Sequence, residues 1–154
     1  MKKFNFHLSP LLKLRKRQED VTQKILNEAY ASLQQEISLL EKLEREKKEI
    51  DEELKKKRAV SSRIDDIIVY LQYLEMLILR ISRQEDVLIK ERNVVEDKRM
   101  DVVKAMRERQ IIEKIREKKY AVWKEGVRRM EVSISDEEAT MNYNNRKQES
   151  LADE

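Results

Sequence analysis

SRIDDIIVYLQYLEMLILRISRQ, residues 62–84, is the stretch that decides the fold. Ile64, Ile67, Leu71, Leu74, Ile78 and Ile81 follow alternating steps of three and four. The same count continues through Glu85, Leu88, Arg92, Val95, Arg99, Val102 and Met106. All but Glu85, Arg92 and Arg99 are apolar. A 3.5-residue repeat keeps one narrow stripe toward a partner helix, so this row reads as a coiled-coil seam. A second stripe, Tyr70, Tyr73, Leu77, Arg80 and Gln84, lies one residue earlier, about 100° round the helix. Val69, Met76 and Leu79 point elsewhere again. Gln72, Glu75 and Arg80 break the run, which falls short of the ~20 apolar residues that span a bilayer. The surplus apolar faces read in two ways. Either a second copy of the chain covers them or they are merely tolerated, or they form a docking site for a different protein with tyrosines as amphipathic anchors.

The remaining composition supports long helices. The chain has 154 residues, one Gly, one Pro and 42% charged residues. So little turn material is incompatible with many short elements, and few aromatics leave no large globular core. Disorder is the rival for such a composition, but the regular apolar spacing opposes it. Net charge is +3, with both signs interleaved as on a solvated helix surface, so a pI near 9.0 gives nucleic acid little support. Lacking cysteine, the chain has no disulfide and no thiolate metal site, which fits a reducing compartment. The opening residues do not form a signal-peptide core. The chain reads as cytoplasmic and soluble.

Phe4, Phe6 and Leu8 alternate with Asn5 and His7, giving one apolar edge to an extended segment over residues 1–9. Ser9 suits a helix N-cap and Pro10 the first helical position. The first helix carries Leu11, Leu14, Val21, Ile25, Ala29, Leu33, Ile37, Leu40, Leu43, Ile50 and Leu54. Consecutive steps of four from Ile25 to Ile37 predict a local slip of the heptad. A turn is expected near 58–63, with Ser62 and Asp65 resembling a capping box. Folding back there sets Leu54 against Ile67 or Ile68, Leu40 against Ile81, Leu33 against Leu88, Val21 against Val102 and Leu11 against Ile111. Apolar meets apolar along the pairing, which predicts an all-α, antiparallel two-helix coiled-coil hairpin over residues 10–139. The alternative is one unbroken helix dimerised in trans. The second helix is expected to run to about 135–138 and so to overhang, with a disordered tail over 140–154. On the overhang lie Ile112, Ile115, Tyr120, Trp123, Val127, Met130 and Ile134, which the segment Phe4–Phe6–Leu8 could staple. Gly126, the one glycine, marks fraying or a bend.

No catalytic, cofactor or metal constellation is legible. His7 is alone, the acidic pairs are solvated charge, and a phosphate-binding glycine loop cannot be built from one glycine. An enzyme is not expected.

One resemblance covers essentially the full length. Lys3-Phe4-x-Phe6-x-Leu8-x-x-Leu11-Leu12-x-Leu14-Arg15, followed by Glu19, resembles the start of the flagellar export protein FliJ family. That family is similar to the YscO-type stalk proteins of virulence type III secretion. Tyr70-x-x-Tyr73-x-x-x-Leu77-x-x-x-Ile81-x-x-Gln84 and Asp136-Glu137-Glu138-Ala139 resemble two further stretches of it. The resemblance implies a central-stalk-like hairpin in flagellar protein export. Its partners would be a hexameric export ATPase ring, the cytoplasmic domain of the export gate membrane protein, and export chaperones. The chain would then be a monomer peripheral to the inner face of the cell membrane. Carried onto this chain, gate contact falls to Tyr70, Tyr73, Leu77 and Gln84, with Leu39, Leu43 and Ile50 on the first helix. Ring contact falls to Phe4, Phe6, Leu8, Leu12, Arg15, Tyr120 and Trp123. Arg80 departs from the small residue expected on its stripe, and Glu46 and Ile50 stand where aromatic residues can occur. The competing readings are a homodimeric scaffold coiled coil, and a binder of nucleic acid or acidic membrane through Lys13, Arg15, Lys16 and Arg17.

Overall fold

The computed structural model describes residues 3–60 and 63–152. Among them the regular elements are two helices: α1, Ser9–Ala59, of 51 residues, and α2, Ile64–Ala152, of 89 residues. Together they form the expected antiparallel two-helix coiled-coil hairpin. Ser61 and Ser62, and with them the Ser62 cap, lie outside the described residues. On either side of the turn the charges suit the helix dipoles: Lys56, Lys57 and Arg58 close α1, and Asp65 and Asp66 open α2. The chain divides into two compact units, residues 17–106 and residues 1–16 with 107–154.

In the unit 17–106, cross-helix pairs fix the antiparallel sense. Ser32 meets Glu91 at 3.3 Å, Glu36 meets Gln84, Glu46 meets Tyr73, and Glu53 meets Tyr70 at 3.0 Å. The partner's number falls as the first rises, as the fold-back near residue 61 requires. The row of α1 turned inward, buried at Leu26 and Leu54 and half-buried elsewhere, is Thr22, Leu26, Ala29, Leu33, Glu36, Leu40, Leu43, Ile50 and Leu54. Its steps keep to three and four if Lys47, which is exposed, is counted. The expected slip is therefore absent. Leu26 is 6% exposed, whereas Val21 and Ile25 face solvent, and the steps of four disappear once Leu26 stands for Ile25 and Glu36 for Ile37.

The α2 seam needs a similar correction. Leu74, Ile81, Leu88, Val95 and Val102 of the expected row are buried or half-buried, but its alternate members Leu71, Ile78, Glu85, Arg92 and Arg99 are exposed. Their places are taken one residue earlier by Tyr70, Leu77, Gln84, Glu91 and Lys98. The two rows are equally apolar before residue 80, so the polar members decide. Gln84 and Glu91 have hydrogen-bond partners waiting on α1, whereas Arg92 and Arg99 keep their hydration by facing outward.

In the other unit, the chain enters α1 through a tight turn. Ser9 N–H donates to the Phe6 carbonyl at 2.9 Å and Leu12 N–H to the Leu8 carbonyl at 3.0 Å. Phe6 and Leu12 are buried, while Asn5 and His7 are exposed, as the period-two pattern requires. Arg15 of α1 pairs with Glu108 of α2 at 2.6 Å, so α2 runs on well past the start of α1. It continues to Ala152, through 140–152, where the sequence predicts a disordered tail and a helix end at 135–138. No Gly or Pro interrupts that stretch, and Thr140 returns its hydroxyl to the Asp136 carbonyl at 2.8 Å. Gly126 sits within the helix and does not end it.

Candidate interaction surfaces

Tyr70, Tyr73, Leu77 and Gln84, read from the sequence as surplus and outward-facing, are turned toward α1 of the same chain. Leu77 is 0% exposed and Gln84 is 8% exposed, because they belong to the seam itself. Gln84 donates its amide to the Glu36 carbonyl at 3.1 Å and to the Glu36 carboxylate. Neither residue presents a free surface, which corrects the reading of this stripe as wholly available to another protein.

The tyrosines sit at the seam's edge, half-buried. Tyr70 donates its hydroxyl to Glu53 at 3.0 Å, with the Lys57 ammonium 5.3 Å from the ring centre. Tyr73 donates to Glu46. Each carboxylate accepts from the neutral phenol and would repel the phenolate. Both tyrosine pKa values are therefore raised, first by the hydrogen bond and then by desolvation and charge. On α1, Leu43 and Ile50 are half-buried and Leu39 is exposed.

The surface left open lies on the far side of α2. Ile64, Ile68, Leu71 and Ile78 are all exposed and step by four, three and seven along one helical face. Val69, Met76 and Leu79 extend it sideways and are exposed too. The sequence pattern places Ile64, Leu71 and Ile78 in the seam, sets Ile68 as a possible partner of Leu54, and leaves Val69, Met76 and Leu79 outside; all of them are exposed, because α1 covers the stripe one residue earlier.

The unit 1–16 with 107–154 carries an aromatic cluster. The Phe4 ring meets Tyr120 edge-on, with centroids 5.2 Å apart and planes at 80°, and lies 5.8 Å from Trp123. Tyr120 and Trp123 stack at 5.6 Å. Leu8 is half-buried beside the buried Phe6 and Leu12. Of the residues read as ring contacts, Phe4, Tyr120 and Trp123 touch one another, and Arg15 is held by Glu108. The N-terminal segment thus staples α2, the structural alternative that the period-two pattern left open. Farther along α2, Glu125 lies between Arg129 at 3.1 Å and Arg128 at 3.2 Å. Their hydrogen bonds, Arg129's first, hold its carboxyl below the usual range. Beyond it Met130, Ile134 and Met141 are exposed. Among the described residues, no helix is long and apolar enough to cross a membrane.

Comparison with known proteins gives three findings. No curated protein matches the chain. A similar solved structure is that of CT670 from Chlamydia trachomatis, named as a YscO homolog, at 21% identity and a TM-score of 0.48, covering 95% of this chain and 99% of that one. The family model for the flagellar FliJ protein matches residues 4–148, and with nearly the whole chain inside that match, the protein belongs to the FliJ family.

Proposed function

We propose that this chain is a central-stalk-like component of flagellar, type III protein export. It binds the export ATPase ring through its open end, promotes ring assembly and activity, and couples the ring to the cytoplasmic domain of the export gate. It also escorts export chaperones. The observation that carries the reading is the family match over residues 4–148, which takes in both the open end and the hairpin turn. The geometry supports a division of labour. Phe4, Tyr120 and Trp123 offer rings at the open end, with Leu8, Phe6, Leu12 and Arg15 holding the segment in place. Nearer the turn, Tyr70 and Tyr73 are the half-buried edge of the gate contact, with Leu43 and Ile50 half-buried on α1 and Leu39 exposed farther along it. Leu77 and Gln84 support that edge from beneath. The open row Ile64, Ile68, Leu71 and Ile78 supplies the apolar area such a contact needs. The chain works as a monomer at the cytoplasmic face of the membrane.

The test is the hydrolysis rate of the export ATPase from the same cell, with and without this chain. Stimulation by the intact chain, weakened by Phe4→Ala and Tyr120→Ala, is the expected result. An ATPase rate indifferent to the intact chain overturns the reading. The exposed row on α2 favours one alternative, a homodimeric scaffold, and mass measurement at micromolar concentration decides between them.

A further inference from the structure

We propose that the groove where the N-terminal segment crosses the start of α1 and α2 binds a phosphate-type anion. The groove has a volume of about 360 Å³, with Lys13, Lys16 and Arg116 along it and Phe4, Phe6 and Leu12 forming its apolar wall. Lys13 and Lys16 are three residues apart and share one face of α1. The antiparallel pairing brings Arg116 to them, since Lys16 reaches Glu113, three residues before it, at 3.5 Å. Among the described residues, no carboxylate lines this groove. Glu113, next to it, already accepts from Arg109. The first turn of α1 contains no acidic residue, so the positive end of the helix dipole adds to the cations, of which Lys16 is paired with Glu113 and Arg116 stands beside Glu113 and Glu117 in the adjoining groove.

Three converging cations fit one ligand chemistry better than another. A lone carboxylate brings one negative charge, whereas a phosphate ester brings up to about two and several acceptor oxygens for a guanidinium fork. The groove is wider than a phosphate, and its Phe4–Phe6–Leu12 wall suits the organic part of an ester. A soluble phosphate ester and a phospholipid headgroup share this chemistry.

Trp123, the one tryptophan in the chain, lies 5.8 Å from Phe4 and so reports on the groove wall. The experiment titrates the full chain at fixed ionic strength with pyrophosphate, and separately with phosphatidylcholine vesicles with and without phosphatidylglycerol. Trp123 emission and calorimetric heat are followed in parallel. The expected result is saturable binding to at least one probe, weakened roughly tenfold or more in the triple variant Lys13→Gln, Lys16→Gln, Arg116→Gln. Binding of pyrophosphate alone assigns a soluble ester, and binding of phosphatidylglycerol vesicles alone assigns a lipid headgroup. The proposal is overturned if neither probe saturates, if sodium chloride of equal strength reproduces the response, or if the triple variant binds as the parent does. Should the triple variant lose helicity, the exposed Lys13→Gln single variant carries the same comparison.

Discussion

Gln84 of α2 donates its side-chain amide to the backbone carbonyl of Glu36 on α1 at 3.1 Å, inside a seam whose neighbours Leu77 and Leu88 are buried. A helix carbonyl already accepts within its own helix, so this bond uses the second lone pair and ties one backbone to the other. A polar residue in an otherwise apolar seam favours the register in which it finds a partner. Gln84→Ala removes the donor and leaves the Glu36 carboxylate half-buried without it. The expected loss is about 1–2 kcal/mol in urea denaturation. Gln84→Leu restores packing but leaves the Glu36 carboxylate equally unpaired, so it should recover only part of that stability. If Gln84→Leu destabilises as much as Gln84→Ala, the unpaired carboxylate and not the lost packing sets the cost.

Leu77 and Ile78 are adjacent on α2, yet one is fully buried and the other is 50% exposed. Leu77→Ala should cost about 2–5 kcal/mol, the range for a leucine removed from a packed core. Ile78→Ala should stay within about 0.5 kcal/mol, as surface changes do. The pair therefore reports which of the two stripes faces α1. Equal costs, or a larger one at Ile78, would restore the row that starts at Ile64 as the seam.

That one-residue ambiguity marks the limit of what periodicity can say. The existence of two helices, their antiparallel sense and the break near residue 61 follow from apolar spacing and from Lys56, Lys57, Arg58, Asp65 and Asp66 at the ends. Half of each seam follows too, since Leu74, Ile81, Leu88, Val95 and Val102 belong to either candidate row. The other half turns on Gln84, Glu91 and Glu36, whose burial is favourable only when the facing helix offers a partner, and a single helix's pattern does not contain that information. On α1 the same effect hides Leu26 behind Ile25. Phe4 and Trp123 were legible as apolar surplus on two separated stretches, but their stacking depends on how far α2 outruns α1. The helix through 140–152 was not legible, because asparagine-rich, charged sequence reads as turn or tail.

Tyr70 and Tyr73 supply a test in pH. Each phenol is hydrogen-bonded to a glutamate, and both pKa values are raised above the usual value for tyrosine. A raised folded-state value means the folded chain holds these protons longer than the unfolded chain. The resulting stability is complete below the unfolded pKa, about 10, and is lost as pH rises through the folded value. Phenolate absorbance at 295 nm, followed in alkali, should show a late-titrating fraction. Glu53→Gln should advance the titration of Tyr70, and Glu46→Gln that of Tyr73. Titration curves identical to the parent's would show that the two hydrogen bonds do not persist in solution.

Gly126 is exposed within α2, and a methyl group added there meets no other atom within 4 Å. Gly126→Ala therefore gains helix propensity at no steric cost, by about 1 kcal/mol. Amide hydrogen exchange around residues 120–132 is the measurement, because local opening of this stretch need not appear in a global melt. Slower exchange there, with unchanged rates in 17–106, is expected. Faster exchange would mean that the glycine accommodates a bend.

Phe4 reaches Tyr120 and Trp123 from a segment that turns onto α1 through the Ser9 N–H to Phe6 carbonyl bond. Aromatic pairs of this geometry contribute about 0.5–1.5 kcal/mol beyond the area they bury, enough to hold a short segment and too little to govern the hairpin. Phe4→Ala should therefore release residues 3–8 while leaving helicity and the main melting transition close to the parent's. Trp123 loses one covering ring and meets more water, so its emission should shift to longer wavelength. Deleting residues 3–8 should produce the same shift at full amplitude, and also remove Phe6 from its buried site against the start of α1. Unchanged emission in both variants would show that the segment does not rest on α2 in solution. A large drop in melting temperature from Phe4→Ala alone would show that it is part of the hairpin's core.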